Sequence, residues 1–138
     1  VLGHKLGSFH HRGPGGWVIL NEPELHFGKD VLVPDIAGWR RERLPMLPPD
    51  AFMTLAPDWV CEVISPSTES IDRGQKLSRY ARAGVAYLWF VDPLKQALEV
   101  LTLEDGSWKP RGRHEGAALV RAVPFDAVEL KLGALWIG

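Results

Sequence analysis

The order of apolar and polar residues predicts a chain built mostly of short strands. Four apolar runs of strand length are bounded by glycine, proline or aspartate, which is typical of buried strands. They cover residues 17–20, 34–39 (led by Val31-Leu32-Val33), 58–64 and 85–91. Between the second and third runs, residues 40–57 contain four prolines and are predicted to form a loop.

One helix is predicted between the third and fourth strands. Ser65-Pro66-Ser67-Thr68 offers N-cap side chains, residues 71–83 follow with helical spacing, and Gly84 is a usual residue just past a helix end. Strand, helix and strand in this order predict a crossover that joins two strands of one sheet. Residues 2–12 also have a loose helical spacing.

The C-terminal third predicts further strands. Residues 98–103 and 108–114 flank Glu104-Asp105-Gly106-Ser107, which indicates a hairpin, and alternation recurs at 117–123 and 127–132. The predicted fold class is therefore α/β, with a mixed central sheet flanked by helices and a C-terminal β extension. The chain has neither a GxGxxG motif nor a P-loop, which argues against a doubly wound nucleotide-binding fold.

Composition narrows the class of protein only a little. A length of 138 residues predicts a single domain, residues 1–138. The net charge of -1 gives no bulk attraction for nucleic acid, so any basic surface must be local. The single cysteine fits a reducing cytoplasm. No apolar stretch approaches the ~20 residues of a membrane span, and the histidines lack zinc-site spacing.

Two carboxylates stand in apolar surroundings. Asp35 directly precedes an apolar run, and Glu62 interrupts one, sharing a strand face with Val60 and Ile64. A charged carboxylate among apolar neighbours is costly unless it is paired or binds a metal. Glu62 therefore has a partner, binds a metal, or lies at a sheet edge facing water. Asp35 alternatively caps the start of its strand.

Lys76 on the predicted helix supplies the third group of a candidate site. With Asp72 it forms an i,i+4 pair that, at the surface, is worth roughly 0.2–0.5 kcal/mol. Lys76 also lies between the apolar and charged sides of the helix, from where its amine could reach Glu62. Two carboxylates and a lysine suffice for metal-assisted phosphodiester hydrolysis. That role predicts an amine on the order of 3–6 Å from both carboxylates.

Several motifs together resemble a known family. They are Val33-Pro34-Asp35, APDWVCEVISPST at 56–68, DRGQK at 72–76, YARAGV at 80–85 and LWFVDP at 88–93. The chain is similar, from about residue 15 to 137, to the Uma-two family of restriction-type endonucleases in the PD-(D/E)XK nuclease superfamily. The resemblance implies a restriction-endonuclease-like core. It assigns Asp35 to the PD element, Glu62 to the acidic position of (D/E)XK, and Lys76 to the lysine, because Ile64 stands where the superfamily pattern has lysine.

The resemblance also implies a reaction and its requirements. Asp35, Glu62 and the carbonyl of Val63 would hold Mg²⁺ (or Mn²⁺), and the substrate would be DNA, cut to leave a 5′-phosphate. A homodimer is expected for a nuclease that cuts both strands. Family members carry an upstream segment with another acidic residue, and this chain is expected to begin after it. Glu22 and Glu24, placed by their spacing on one strand face, either substitute for that residue or face solvent.

Other interpretations stay open. The chain is alternatively a catalytically inactive nuclease-fold module for DNA binding or assembly, or it acts on a different phosphoester. Two sets of arginines either contact phosphates or simply face solvent. These are Arg40, Arg41 and Arg43 after the second strand, and Arg73, Arg79 and Arg82 on the helix. Cys61 is predicted to be a core residue rather than a nucleophile, because no base lies near it in the pattern.

Overall fold

A computed structural model describes residues 16–49, 51–64, 69–117, 119–125 and 130–131 of the chain. The elements in chain order are β1 (Trp17–Asn21), β2 (Leu25–Phe27), β3 (Asp30–Leu32), β4 (Ile36–Arg40), β5 (Trp59–Val63), α1 (Glu69–Ala83), β6 (Tyr87–Asp92), β7 (Ala97–Glu104), β8 (Ser107–Glu115), β9 (Leu119–Val120) and β10 (Leu130–Lys131). The described part of the chain contains no helix long and apolar enough to cross a membrane.

A six-stranded sheet in the order β1-β4-β5-β6-β7-β8 forms the centre of the fold. Strands β5 and β6 are parallel and every other neighbouring pair is antiparallel. Helix α1 is the crossover between the two parallel strands, because parallel neighbours cannot be joined by a tight turn. The predicted mixed sheet is therefore confirmed, with the predicted hairpin of residues 98–114 forming its far edge as β7 and β8.

The two faces of the sheet bury separate apolar clusters. One cluster contains Val60, Leu88 and Phe90 together with Tyr80 from α1, so this is the face that the helix covers. The other contains Trp59, Cys61, Trp89 and Phe125. Alternate residues of β5 thus point to opposite faces, as the sequence pattern predicted. Glu62 follows the parity of Val60 and lies on the helix-covered face.

The structure differs from the sequence prediction around residues 25–36. Strand β3 ends at Leu32 and β4 begins only at Ile36, so Val31-Leu32-Val33 does not lead directly into the strand predicted at 34–39. Pro34 between them has no N–H to offer a ladder. β3 instead pairs with β2, a three-residue strand that the pattern did not predict, and Gly28 adopts a φ of 62° in the turn between them.

The remaining predictions concern the C-terminal strands and the N-terminal helix. Strands β9 and β10 pair with each other in a separate two-stranded sheet, within the two segments where alternation predicted strands. Residues 2–12, predicted as helical, lie outside the described residues. α1 is the one α-helix that the structure describes, so a helix flanking the second face stays a prediction.

Candidate active site

Asp35 and Glu62 lie side by side on neighbouring strands. The antiparallel register that pairs Ile36 with Cys61 places Asp35, just before β4, beside Glu62 near the end of β5. The backbone N–H of Val63 donates to Asp35 Oδ2 at 2.7 Å. Asp35 thus binds the end of the neighbouring strand β5, and this bond fixes its carboxylate next to Glu62.

Two side chains of α1 hold the Glu62 carboxylate. Lys76 Nζ lies 2.5 Å from Oε2, and the Tyr80 hydroxyl donates to Oε1 at 2.8 Å. Residues four apart lie on the same side of a helix, so both donors approach Glu62 together. Glu62 is only 2% exposed, which excludes the alternative of a sheet-edge carboxylate facing water. The Lys76 amine is closer than the expected 3–6 Å, because no water separates it from Glu62.

Burial dominates the electrostatics of this cluster. Burial raises the pKa of Glu62 above its ordinary value. The hydrogen bonds from Lys76 and Tyr80 and the charge of Lys76 lower this pKa, but by less than burial raises it. The neighbouring charge of Asp35 raises the Glu62 pKa slightly further. Burial also raises the pKa of Tyr80, with added contributions from Glu62 and Asp35, so Tyr80 stays a proton donor. The charged form of Glu62 is therefore less favourable here than that of an exposed glutamate.

The oxygen donors at the site suit a hard divalent cation. No cluster of three or more His, Cys, Asp or Glu side chains with metal-binding geometry occurs among the residues described. Mg²⁺, however, keeps several waters and needs only one or two carboxylates. Asp35 and Glu62 meet that requirement, and a cation would offset the burial of their charge. A cation coordinated by Oε2 would compete with Lys76 for that oxygen.

A second cation lies one helical turn from Lys76. On the sheet, Glu62 is paired across the strands with Phe90, and Phe90 with Glu99. The Arg73 guanidinium lies 4.4 Å above the Phe90 ring and bonds Glu99 Oε1 at 2.5 Å. Arg73 is therefore fixed above Phe90, the cross-strand neighbour of Glu62, by a stacking contact and an ion pair.

Arg40, Arg41 and Arg43 lie at or just beyond the C-terminal end of β4, away from Asp35. Strand β4 separates them from Asp35 by roughly 17 Å, given about 3.4 Å per residue. Arg40 lies 4.7 Å above the Trp17 ring, and Arg43 bonds both Asp58 and the carbonyl of Ala56. These contacts bind the loop to the fold, so phosphate contact by these arginines at this site is not supported.

The remaining predicted candidates lie outside the cluster. Glu22 and Glu24 do not share a strand face, because both lie between β1 and β2, and that prediction is wrong. Both side chains are exposed, and Glu24 contacts His26 at 2.6 Å. On α1, Arg79 is exposed and Arg82 bonds Asp30 at 3.3 Å near the β2–β3 hairpin.

Cys61 lies away from the site, whereas Tyr80 belongs to it. Cys61 is fully buried on the opposite sheet face, and burial raises the pKa of its thiol well above the ordinary value, which fits a core residue. Sequence reasoning did not assign Tyr80 to the site. The available signal was its position four residues after Lys76, on the same helical stripe.

Comparison with known proteins identifies the family. Residues 2–133 match the model of the Uma2 family, described as "Putative restriction endonuclease", so the chain belongs to that family and the predicted resemblance is confirmed. No curated protein is significantly similar to the chain.

A solved structure shares the fold. It is described as "a putative nuclease belonging to DUF820" from Anabaena variabilis ATCC 29413. It superposes with a TM-score of 0.75 at 21% identity, covering 98% of this chain and 75% of that one. At this identity the likeness concerns the fold alone, which the two chains share.

Proposed function

We propose that the chain is a Mg²⁺- or Mn²⁺-dependent DNA endonuclease that hydrolyses phosphodiester bonds. The observation that carries this proposal is the convergence of Asp35, Glu62 and Lys76 from two strands and a helix. Glu62 is buried and Asp35 lies beside it, while the ammonium of Lys76 reaches the same carboxylate. Membership of the Uma2 family supports the assignment of DNA as substrate.

The side chains divide the work of hydrolysis. Asp35 and Glu62, with the carbonyl of Val63, would hold the cation at the ends of β4 and β5. When bound, the cation supplies charge stabilisation at a phosphate oxygen and lowers the pKa of an attacking water. Lys76, once released from Glu62, would orient that water or neutralise charge on the phosphate. Its 35% exposure leaves the side chain room to make this shift.

Substrate binding depends on a local concentration of positive charge. The chain has a net charge of -1, so Lys76 with Arg73 and Arg79 on α1 would provide the attraction for the DNA backbone. We propose that the protein acts as a cytoplasmic homodimer, since cutting both strands of a duplex needs two active sites. Sedimentation of the protein with and without a DNA duplex tests the dimer.

Plasmid nicking tests the enzymatic proposal. The wild-type chain should convert supercoiled plasmid to nicked circles in Mg²⁺ or Mn²⁺ and not in EDTA, because the cation completes the site. Glu62→Gln and Asp35→Asn should abolish nicking, whereas Glu24→Gln, an exposed acid outside the cluster, should not. Nicking that survives in Glu62→Gln would contradict the assigned site.

The direct ion pair between Lys76 and Glu62 favours a second candidate. Because Glu62 already has a cationic partner, the domain is alternatively a nuclease-fold module that binds DNA without cutting it. Isothermal titration with Mn²⁺ separates the two candidates. Mn²⁺ binding that is lost in Glu62→Gln supports the enzyme. Absence of binding by both proteins, together with DNA retention in a gel shift, supports the module.

A further inference from the structure

The two donors on Glu62 differ in how firmly they are held. Tyr80 is 1% exposed and its ring lies in the apolar cluster under α1. The Lys76 side chain is 35% exposed and flexible along its whole length. The hydroxyl of Tyr80 is therefore fixed by packing, whereas the ammonium of Lys76 has solvent to move into.

The backbone around Tyr80 is also anchored. Its carbonyl accepts the N–H groups of both Gly84 and Val85 at 3.1 Å, which closes the end of α1. One turn earlier, the Trp108 indole of β8 donates to the carbonyl of Leu77 at 2.8 Å and ties the helix to the sheet. The Tyr80 hydroxyl consequently has a set position above β5.

We infer that Tyr80 is a positioning residue, which holds Oε1 of Glu62 so that Oε2 is the oxygen offered to a divalent cation. This inference rests on the proposed function. Tyr80 itself does not touch the cation or the substrate; it acts through Glu62. Without its hydroxyl, the carboxylate loses the bond that fixes the orientation of its plane, so it also adopts orientations in which neither oxygen faces the open side of the pocket.

The effect is expected on metal affinity. Groups that orient a metal ligand typically change metal affinity by roughly 10–100-fold when they are removed. Tyr80→Phe keeps the ring and deletes only the hydroxyl, so we expect Mn²⁺ binding to weaken by about tenfold or more. The other tyrosine, Tyr87, is half-buried on β6 beside the apolar cluster of the opposite sheet face. Tyr87→Phe is therefore a matched control and should bind Mn²⁺ like the wild type.

Mn²⁺ titration followed by electron paramagnetic resonance of the free ion tests the inference on four proteins: wild type, Tyr80→Phe, Tyr87→Phe and Glu62→Gln. Weakened binding in Tyr80→Phe with unchanged binding in Tyr87→Phe supports it. Equal affinity of Tyr80→Phe and wild type overturns the positioning role and leaves the proposed function standing. Wild-type protein that binds no Mn²⁺ overturns the proposed function and this inference with it.

A second measurement tests the inference even if Tyr80→Phe folds poorly. In a Glu62→Met background there is no carboxylate to position and the Tyr80 hydroxyl has lost its acceptor, so adding Tyr80→Phe should not lower urea stability below that of Glu62→Met alone. That result supports action through Glu62. An equally large loss of stability in both backgrounds overturns it, because the hydroxyl would then support the fold independently of Glu62.

Discussion

Replacing Lys76 with methionine tests how the buried carboxylate is balanced. The change removes the ammonium and keeps a side chain that covers similar apolar surface. Glu62, 2% exposed, then keeps only the bond from Tyr80. Loss of a hydrogen bond to a charged group costs about 1.5–3 kcal/mol. The 3–5 kcal/mol typical of a fully buried pair is too large here, because Lys76 is 35% exposed and partly solvated.

This cost is measurable by melting the metal-free protein. For a chain of roughly this size the loss corresponds to a melting temperature lowered by roughly 3–12 °C. Metal binding should change in the opposite direction, because in the wild type a cation competes with Lys76 for Oε2. Without that competition, Mn²⁺ should bind roughly ten- to a hundredfold tighter, the equivalent of 1.5–3 kcal/mol. The melting temperature should then rise more on Mn²⁺ addition than it does for the wild type.

Arg79→Met is the matched control for this experiment. It removes the same charge from an exposed position on the same helix, so both its stability and its Mn²⁺ affinity should stay near those of the wild type. The reasoning is refuted if Lys76→Met melts like Arg79→Met without metal and gains no extra stability from Mn²⁺. Plasmid nicking, which needs the amine itself, should be lost in Lys76→Met.

Three further predictions concern the buried site and its support. Because the folded-state pKa of Glu62 is raised, its charge costs stability as pH rises from the ordinary value of 4.5 through the folded pKa. In EDTA, the free energy of unfolding of Glu62→Gln in urea, relative to that of the wild type, should therefore rise as pH increases from 4 to 8. The rise should be about 1.4 kcal/mol per unit of pKa elevation, and a difference independent of pH would contradict this. Gly38→Ala should lower the free energy of unfolding in urea by about 1–3 kcal/mol, because the added Cβ would lie 2.9 Å from Ile19 Cδ1 and 3.1–3.2 Å from two tryptophan rings. A loss within experimental error would show that the neighbouring side chains move to accommodate the Cβ. Cys61 should react with a thiol reagent only at the rate of unfolding, because it is fully buried and its thiol pKa is raised; fast labelling of the native protein would disprove its burial.

The sequence alone was sufficient for features that local chemistry specifies. The sequence predicted β5 because an apolar run ends there in turn-forming residues. It predicted α1 because residues with helical spacing end at Gly84. Glu62 stood out for a related reason. A carboxylate inside an apolar strand must find a partner, and that requirement is visible without coordinates. The motif resemblance then indicated the family that the comparison confirmed.

Tertiary structure decided which groups meet. Asp35 and Glu62 become neighbours only through the register of β4 on β5, which depends on backbone pairing that a one-residue shift would destroy. The sequence analysis did not predict β2, and it joined the residues of β3 to the next strand, because three residues are too few to show an alternating pattern. The two strands pair through the turn at Gly28. The partners of Glu62 depend on where the crossover places α1 above the sheet. Spacing on a helix says that Lys76 and Tyr80 point the same way, but only the packed position of that helix brings them to one carboxylate.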